Sequence, residues 1–396
     1  MFSEQTLRKI YYQKVDLLLN GLQITQEFLD SVRIFSPEFY KGRKGGAGPA
    51  GGRYFRFQNG SVVNAGLWGV QSERSHLYLK QAFGYRSERP THLICQVYNS
   101  RTNENYKIDL LPIPIAYNSA DNISNTKNSQ IALVHGSSCL ASTIIQRCRY
   151  WRESKACTFC GIEFSLQDRS TIERKSPEQL IHAIQDASQV GLCEHITLTM
   201  GTLAKLNKGA ENYIEVVSKV KKEFPYLPIH IQIEPFEDLN KLGELKRAGV
   251  DTIGIHLEIP NDALREKFCP GKYETPRSLY ESFWKESVKI FGTGQVSTFI
   301  LLGFGEDLEE TMDYVITIIK MGVIPNIMPV RYIIGTNLQY TPITFDNLIA
   351  IYDSIAKSFL KYKLDPTLHK AGCVRCTGCS AIVDAYVYHK ISHQNN

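Results

Sequence analysis

Apolar runs of strand length alternate with amphipathic stretches of helical length from about residue 131 onward. The strand-like runs, each short and mostly apolar, cover residues 143–145, 196–200, 229–233, 252–257 and 296–302. The helical stretches between and after them cover residues 177–190, 209–224, 238–248, 276–290 and 308–321. Repeated strand–helix units of this length form parallel sheets with helices packed outside. The pattern therefore predicts an α/β fold with about six such units.

The alternation stops after Tyr332, where one long helical stretch at 344–362 precedes a cysteine-rich tail. We therefore expect a partial (β/α)6 barrel of the TIM type rather than a complete barrel with two further units. The N-terminal third has a different pattern, with a helical start and short strand-like runs such as 92–98. This pattern predicts an accessory α+β domain.

An Asn- and Ser-rich stretch at 117–130 is typical of an exposed linker and suggests a domain boundary. The predicted division has three parts. They are an accessory α+β domain at 1–130, the partial barrel at 131–340, and a C-terminal helix with the cysteine-rich segment at 341–396.

Composition and charge narrow the class of partner. The chain has 45 basic and 40 acidic residues and a net charge of +5. This balance does not indicate a nucleic-acid-binding surface, so we expect a small-molecule substrate. The N-terminal segment has no apolar core followed by a small-residue cleavage site, and no apolar run reaches the length of a membrane span. We expect a soluble, cytoplasmic protein with no nucleic-acid or membrane partner.

Six of the ten cysteines fall into two tight groups. In a reducing compartment such groups indicate metal or redox chemistry rather than a disulfide framework. In the first group, eight residues separate Cys148 from Cys157, and two separate Cys157 from Cys160. Three thiolates can hold three irons of a four-iron, four-sulfur (4Fe-4S) cluster and leave the fourth iron open. Free buried cysteines, or half of a zinc site, are the alternatives, because Cys-x-x-Cys pairs are common in zinc ribbons.

The first cysteine group sits in a wider pattern that resembles the radical S-adenosylmethionine (SAM) superfamily. Phe159 lies inside the Cys-x-x-Cys pair, a third cysteine precedes the pair, and a predicted βα barrel follows it. The first gap is wider than the superfamily's usual one, so the loop must bulge. Residues 249–282 and 297–311 are similar to the same region of lipoyl synthase and biotin synthase. The pattern as a whole resembles the radical SAM family encoded beside nitrilases in bacterial gene clusters.

This resemblance implies a cluster whose open iron is chelated by SAM, and an electron that cleaves the SAM sulfonium to give a 5′-deoxyadenosyl radical. It assigns cofactor contacts to seven residues: Met200, Gly201, Thr202, Glu234, His256, Glu258 and Arg277. Glu258 can accept hydrogen bonds from the ribose hydroxyls, and Arg277 can pair with the SAM carboxylate. Glu234 binds SAM or substrate, or is a solvated carboxylate at a strand end.

A glycine turn at 303–305 follows the predicted strand 296–302. The resemblance places the SAM adenine near this turn, because glycines let the backbone approach a ligand closely. Glu306, the next residue, is better explained as an ordinary residue at the start of a helix.

Cys373, Cys376 and Cys379 form the second group, with two residues in each gap. Thiolates at this density suit an auxiliary iron–sulfur cluster better than a single zinc, which would want four ligands. His369 and Ser380 are candidate fourth ligands; otherwise the fourth iron is open to substrate or sulfide. A zinc-bound structural clasp and redox-active surface cysteines are the alternatives.

The other four cysteines, Cys95, Cys139, Cys193 and Cys269, are isolated in sequence. Cys139 is another possible ligand, but a lone cysteine is more often a small buried hydrophobe. The same interpretation applies to the other three.

A glycine-rich loop at 43–57 carries the cations Arg43, Lys44 and Arg53. Such a loop can cradle an anionic group with backbone N–H donors. It lacks the Lys-Ser/Thr ending of a phosphate-binding P-loop. We expect it to be an active-site lid, with a plain turn as the alternative.

The function predicted from these features is reductive cleavage of SAM followed by hydrogen abstraction from a small substrate at the barrel mouth. The electron would come from a reducing protein such as flavodoxin or ferredoxin. Sulfur insertion from the auxiliary cluster, as in lipoyl and biotin synthases, is a more specific form of this hypothesis. The competing class is a non-enzymatic zinc protein or binding module in which both cysteine groups are clasps.

Overall fold

The N-terminal part of the chain forms a mixed sheet flanked by helices. A computed structural model describes residues 2–35, 42–84, 93–111, 113–121 and 124–395. The helices of this part are α1 (Glu4–Asn20) and α2 (Gln26–Phe35), and its strands are β1 (Leu22–Ile24), β2 (Arg53–Arg56), β3 (Val62–Ala65), β4 (Leu67–Trp68), β5 (Leu77–Gly84), β6 (Leu93–Asn99) and β7 (Glu104–Leu110). The strand order is β3-β2-β7-β6-β5-β1-β4. The predicted α+β character is confirmed, although residue 92 of the predicted strand 92–98 lies outside the described residues.

The second sheet is the barrel. Its strands are β8 (Leu133–His135), β9 (Cys139–Ile145), β10 (His195–Met200), β11 (Ile229–Gln232), β12 (Thr252–Gly254), β13 (Val296–Leu302) and β14 (Val323–Pro329). They are arranged in the order β14-β13-β12-β11-β10-β9-β8. Strands β9 to β14 run parallel, and β8 pairs antiparallel with β9 at the edge. The six parallel strands confirm the predicted partial barrel.

Helices connect the barrel strands, and three more follow the last strand. The connecting helices are α4 (Arg149–Arg152), α5 (Phe164–Gln167), α6 (Pro177–Gln189), α7 (Ala210–Glu223), α8 (Asn240–Ala248), α9 (Asp262–Phe268), α10 (Pro270–Tyr273), α11 (Arg277–Phe291) and α12 (Leu308–Lys320). A short helix α3 (Asn128–Ile131) precedes β8, and α13 (Phe345–Lys361), α14 (Cys373–Cys376) and α15 (Ile382–Asn395) end the chain. None of the helices in the described ranges is long and apolar enough to cross a membrane.

The barrel strands have two different faces. On β10 and β11, Ile196, Leu198, Ile229 and Ile231 are buried in the core beneath the helices. Burying each such side chain contributes about 1.5–3 kcal/mol. Side chains alternate along a strand, so the residues between them face the barrel interior. This inner face is polar, with His195, Thr197, Thr199, His230, Gln232 and Thr252.

The C-terminal tail occupies the end of the interior where the strands begin. The backbone N–H of Gly372 donates to Nδ1 of His195 at 3.2 Å, and Oγ1 of Thr252 donates to the carbonyl of Ala371 at 3.3 Å. A Cβ on Gly372 would lie 2.5 Å from Cγ of His230. The polar inner face therefore holds the tail through hydrogen bonds and through a contact that only glycine allows.

The stretch at 117–130 has exposed residues such as Asn118 and Asn125, but hydrogen bonds attach it to α6. Asn128 is buried and donates to the Asp186 carboxylate on α6 at 2.7 Å. Asp121 is also buried and accepts hydrogen bonds from Ser124 and from Gln179 of α6. Among the described residues of this stretch, Asn and Ser side chains serve to hold the backbone against α6. The predicted domain division stays a prediction.

Substituting Gly372 tests how tightly the tail is held. Gly372→Ala should destabilise the protein by roughly 1–3 kcal/mol, because the added methyl meets the His230 ring. Gly191→Ala is the matched control, since Gly191 also has a positive φ of 71° but has no atom within 4 Å of an added Cβ. Melting followed by circular dichroism should show a lower melting temperature for Gly372→Ala than for Gly191→Ala. Equal melting temperatures would contradict the docking described here.

Candidate active site

Three cysteines meet at the end of the barrel where the strands finish. Cys148 follows β9 and directly precedes α4, and Cys157 and Cys160 lie in the loop after α4. All three line one cavity. Burial, and after it the charge of Cys157, raises the pKa of Cys160 to about 12, and burial also raises the pKa of Cys148. These thiols must lose their protons to bind iron, which couples binding at this cavity to pH.

The wide gap between Cys148 and Cys157 forms a helical turn rather than a loose bulge. Most of the additional residues belong to α4 and the turn after it, where the Lys155 N–H donates to the Tyr150 carbonyl at 2.8 Å. The loop then docks on α9 and α10, since the Thr158 N–H donates to the carbonyl of Phe268 at 2.9 Å. This packing returns Cys157 to the cavity that Cys148 faces.

The glycine-rich loop lies against the cysteine loop. Gly46 lines the cavity, and a side chain on Gly45 would overlap the carbonyl of Gly161, the residue after Cys160. Hydrogen bonds fix this position, with Ser165 Oγ donating to the Gly45 carbonyl at 2.9 Å. The loop therefore covers the cysteine group closely.

Two arginines of this loop donate to backbone carbonyls. Arg43 donates to the carbonyls of Ala47 and Ser170, and Arg53 donates to the carbonyl of Leu111. Their guanidinium groups bind the backbone and fix the loop in place.

Six of the seven predicted cofactor-binding residues line the same cavity: Met200, Gly201, Thr202, Glu234, His256 and Glu258. Each of them lies near the carboxyl end of β10, β11 or β12 or just beyond it. Gly201 packs so closely on the backbone of Arg147 that a side chain there would overlap its carbonyl. The close approach brings the 200–202 segment beside Cys148.

Two hydroxyl groups hold the Glu234 carboxylate. Tyr150 donates to Oε2 at 2.8 Å and Thr202 donates to Oε1 at 2.5 Å. Glu234 itself is buried. Each carboxylate oxygen keeps a lone pair, so the group can accept further hydrogen bonds from a ligand.

His256 presents a buried N–H group to the cavity. Its Nδ1 accepts from the backbone N–H of Phe299 at 3.1 Å, so the neutral ring carries its proton on Nε2. The ring stacks on Phe299 with centroids 3.6 Å apart. Burial holds the pKa of His256 well below its usual value. Within the described residues, Nε2 has no hydrogen-bond partner, which leaves a donor for a ligand.

Glu258 pairs with Lys272 inside the cavity. Nζ of Lys272 lies 2.7 Å and 2.8 Å from the two carboxylate oxygens, and both side chains are largely buried. Burial raises the pKa of Glu258, and Lys272 opposes that rise. Glu258 also has a positive φ of 63°, which is strained for a residue with a side chain. The strained backbone turns this carboxylate toward the cavity.

Arg277 does not join the other predicted residues. Its side chain lies 3.2 Å from the Asp262 carboxylate and donates to the Pro260 carbonyl, and it does not line the cavity. Lys272, five residues earlier, supplies the cation instead. Arg277 begins α11, whereas Lys272 lies on the short helix α10 that packs beneath the cysteine loop.

Sequence reasoning also missed Tyr150 and Cys269. Tyr150 holds Glu234, and the Cys269 thiol hydrogen-bonds with Cys157. The similarity over residues 249–282 includes Lys272 and Cys269, but no periodicity marks them. By contrast, Glu306 accepts from the N–H groups of Gly303 and Phe304, so it stabilises its own turn as expected.

The second cysteine group lies where the tail crosses the barrel interior. Gln232 Nε2 donates to Sγ of Cys373 at 3.7 Å, and Asn64 Nδ2 donates to Sγ of Cys379 at 3.8 Å. Burial is the largest cause that raises the pKa of Cys373 well above its usual value, and the charges of Cys379 and Cys376 add to it. Gln232 also lines the first cavity. One side chain therefore connects the two cysteine groups.

Neither cysteine group has the compact form of a single-ion site. Across the described ranges, no three His, Cys, Asp or Glu side chains are placed to share one metal ion. A four-iron cluster binds each thiolate at a different iron, so its ligands stand farther apart than those of one zinc.

The buried ion pair gives a test of the site's electrostatics. Lys272→Met should destabilise the protein by about 3–5 kcal/mol, because it leaves a buried carboxylate without its partner. Adding Glu258→Gln should recover most of that loss. The control is Lys155→Met, which breaks a half-exposed pair with Glu274 and should have a much smaller effect. Chemical denaturation of the parent protein and the three variants measures these effects, and equal losses for the two lysine variants would contradict the geometry.

Comparison with known proteins relates part of this chain to a family. The sequence profile of the radical SAM superfamily matches residues 152–316. Bacteriochlorophyllide c C-7(1)-hydroxylase of Chlorobaculum limnaeum is 25% identical over 230 residues, covering 53% of this chain and 56% of that protein. The 5-amino-6-(D-ribitylamino)uracil–L-tyrosine 4-hydroxyphenyl transferase 2 of Methanosarcina barkeri is 29% identical over 157 residues, covering 36% and 38%. The chain spans about half or less of the length of these curated relatives.

Solved structures of low sequence identity resemble part of the chain. The FeFe-hydrogenase maturase HydG of Carboxydothermus hydrogenoformans has a TM-score of 0.45 at 16% identity, covering 59% of this chain and 54% of that one. A radical SAM methyltransferase from Sphaerobacter thermophilus has a TM-score of 0.40 at 12% identity, covering 70% and 74%. The matched residues include Cys157, Cys160 and the cavity residues Glu234, His256 and Glu258, whereas Cys148 precedes the match. The match therefore relates residues 152–316 of this chain to the radical SAM superfamily.

Proposed function

We propose that the protein binds a 4Fe-4S cluster through Cys148, Cys157 and Cys160 and binds SAM in the same cavity. When bound, the cluster and SAM together supply an electron and a 5′-deoxyadenosyl radical. The radical would abstract hydrogen from a small substrate at the barrel mouth. The observation that carries this proposal is that three cysteines and six residues at strand ends line one cavity.

The cavity fits these groups on chemical grounds. Nε2 of His256, which lines the cavity, is buried and has no hydrogen-bond partner among the described residues. An unsatisfied buried donor is costly, so its presence in a cavity with three thiols supports a polar ligand at this point.

The carboxylates of the cavity are suited to the ribose of SAM. Glu234 is fixed by Tyr150 and Thr202 and keeps free lone pairs. Glu258 can accept from ribose hydroxyls on the side away from Lys272. Lys272, rather than Arg277, is the cation that can offset the SAM carboxylate, because it lines the cavity. Gly201 keeps the 200–202 backbone close enough to Cys148 to contact the methionine end.

We further propose an auxiliary iron–sulfur cluster at Cys373, Cys376 and Cys379. Their mutual proximity supports it, since the charges of Cys379 and Cys376 reach Cys373. Burial lowers the pKa of Arg331, and the nearby Cys379 opposes this change. A nearby guanidinium would offset the negative charge of a thiolate cluster.

The substrate and the electron donor are open to experiment. One relative named above is a bacteriochlorophyllide c hydroxylase, and the other is a 4-hydroxyphenyl transferase. The matches cover 56% and 38% of these two proteins. We propose a small-molecule substrate, a reductant such as flavodoxin or ferredoxin, and membership of the nitrilase-associated radical SAM family. Sulfur insertion, as in lipoyl and biotin synthases, is a second candidate that depends on the auxiliary cluster.

Anaerobic reconstitution tests the proposed chemistry. After loading with iron and sulfide and reduction with dithionite, the parent protein should convert SAM to 5′-deoxyadenosine, measured by chromatography. Cys157→Ala and Cys160→Ala should reduce the product to background, because each removes a cluster ligand. Cys95→Ala is the matched control, since Cys95 is a buried cysteine in the N-terminal sheet.

The tail cysteines separate the two candidate functions. Cys376→Ala should leave SAM cleavage largely intact, and under the sulfur-insertion hypothesis it should abolish product formation. Loss of SAM cleavage in that variant would count against sulfur insertion. A parent protein that is colourless, contains stoichiometric zinc and makes no 5′-deoxyadenosine would overturn the radical mechanism.

A further inference from the structure

The tail cysteines meet a fourth cysteine that lies far from them in sequence. Cys139 opens β9 and is only 1% exposed. Its partner across the sheet is His195, whose Nδ1 accepts from the N–H of Gly372 at 3.2 Å. Gly372 directly precedes Cys373. The hydrogen bond that docks the tail therefore docks it beside Cys139.

The turn before Cys139 makes room for Cys376. A Cβ on Gly136 would lie 3.1 Å from the Cys376 sulfur, and the positive φ of 61° also favours glycine there. Cys139 and Cys376 line the same cavity on this side of the protein. Sγ of Cys139 lies 3.3 Å from Oγ1 of Thr197, a hydroxyl that can donate to a thiolate. The strand residue and the tail residues are thus close neighbours.

Tyr54 provides an independent marker of this cluster of thiols. Its side chain is buried, with 6% exposure, and its hydroxyl has no hydrogen-bond partner within the described part of the chain. Its ring and Sγ of Cys376 lie 2.9 Å and 3.5 Å from the position that a Cβ on Gly378 would occupy, so Tyr54 packs beside the tail cysteines. A buried O–H without a partner at this place is suited to donate to a sulfur ligand that bears negative charge.

Two other side chains are candidates for the fourth ligand. Ser380 accepts from the Ile382 N–H at 3.4 Å and hydrogen-bonds with Tyr352, so it is engaged away from the cysteines. His369 donates from Nδ1 to the Gly294 carbonyl at 2.7 Å, and its Nε2 has no hydrogen-bond partner among the described residues. Cys139 is preferred to His369 because it lies beside Cys376 in one cavity.

We infer that Cys139 is the fourth ligand of the auxiliary cluster, which completes a set of four thiolates with Cys373, Cys376 and Cys379. This inference rests on the proposed auxiliary cluster. Four thiolates satisfy every iron of a 4Fe-4S cluster. Such a cluster has no open iron to bind substrate or release sulfide directly, which favours a role in electron transfer. Gln232, which contacts Cys373 and lines the SAM cavity, lies on the path between the two sites.

The test isolates the auxiliary cluster in a variant that lacks the first site. This variant carries Cys148→Ala, Cys157→Ala and Cys160→Ala. After anaerobic reconstitution it should bind about four irons per chain. After reduction it should give an electron paramagnetic resonance (EPR) signal. Adding Cys139→Ala should lower the iron content and alter the signal. Adding Cys95→Ala instead should leave both unchanged, because Cys95 is equally buried but lies in the N-terminal sheet.

A second measurement does not depend on the folding of the Cys139 variant. With Cys139 intact, the EPR signal of the auxiliary cluster should not shift when 2-mercaptoethanol is added, because no iron is open. A shift would overturn the inference. So would a Cys139→Ala protein with the iron content and signal of the Cys95→Ala control. If the triple variant binds no iron at all, the auxiliary cluster itself is disproved, while the SAM site at Cys148, Cys157 and Cys160 is unaffected.

Discussion

The parallel register of strands β9 to β14 is the constraint on which the site depends. Because all six strands run in one direction, the residue that follows each strand emerges at the same end of the barrel. The cysteine loop after β9, the 200–202 segment after β10, Glu234 after β11 and Glu258 after β12 are distant in sequence but line one cavity. Hydrogen bonds then fix their polar atoms. The hydroxyls of Tyr150 and Thr202 donate to Glu234, and the backbone N–H of Phe299 donates to His256.

The interior of this barrel is polar rather than filled with aliphatic side chains. Histidine, threonine and glutamine on the inner face leave room and hydrogen-bonding partners for the C-terminal tail, which enters where the strands begin. Burying such groups is costly unless they are paired, and the tail supplies several of the partners. The two cysteine groups consequently share one interior, with Gln232 between them. Gln232 would therefore lie between the two proposed clusters.

Much of the fold could be predicted from the period of the apolar residues, because the outward faces of β10, β11 and β13 are almost entirely aliphatic. The first barrel strand was harder to delimit: the prediction began at 143, but β9 begins at Cys139, since its first residues are small rather than strongly apolar. At the site, residues that follow strands were assigned by the family resemblance together with their position, and six of the seven line one cavity. Lys272 could not be predicted in this way, because its contact with Glu258 joins residues more than ten apart, and Arg277 was a more obvious cation. Cys139 could be named only as a possible ligand, because the tail beside it is distant in sequence.

The central claim is that SAM binds directly at a cluster held by Cys148, Cys157 and Cys160. EPR spectroscopy of the reduced cluster tests it most directly, in a protein whose tail cysteines Cys373, Cys376 and Cys379 are replaced by alanine so that only one cluster contributes. Adding SAM should change the g-values and line shape, because SAM becomes a ligand of the open iron. A spectrum that is the same with and without SAM would contradict the account.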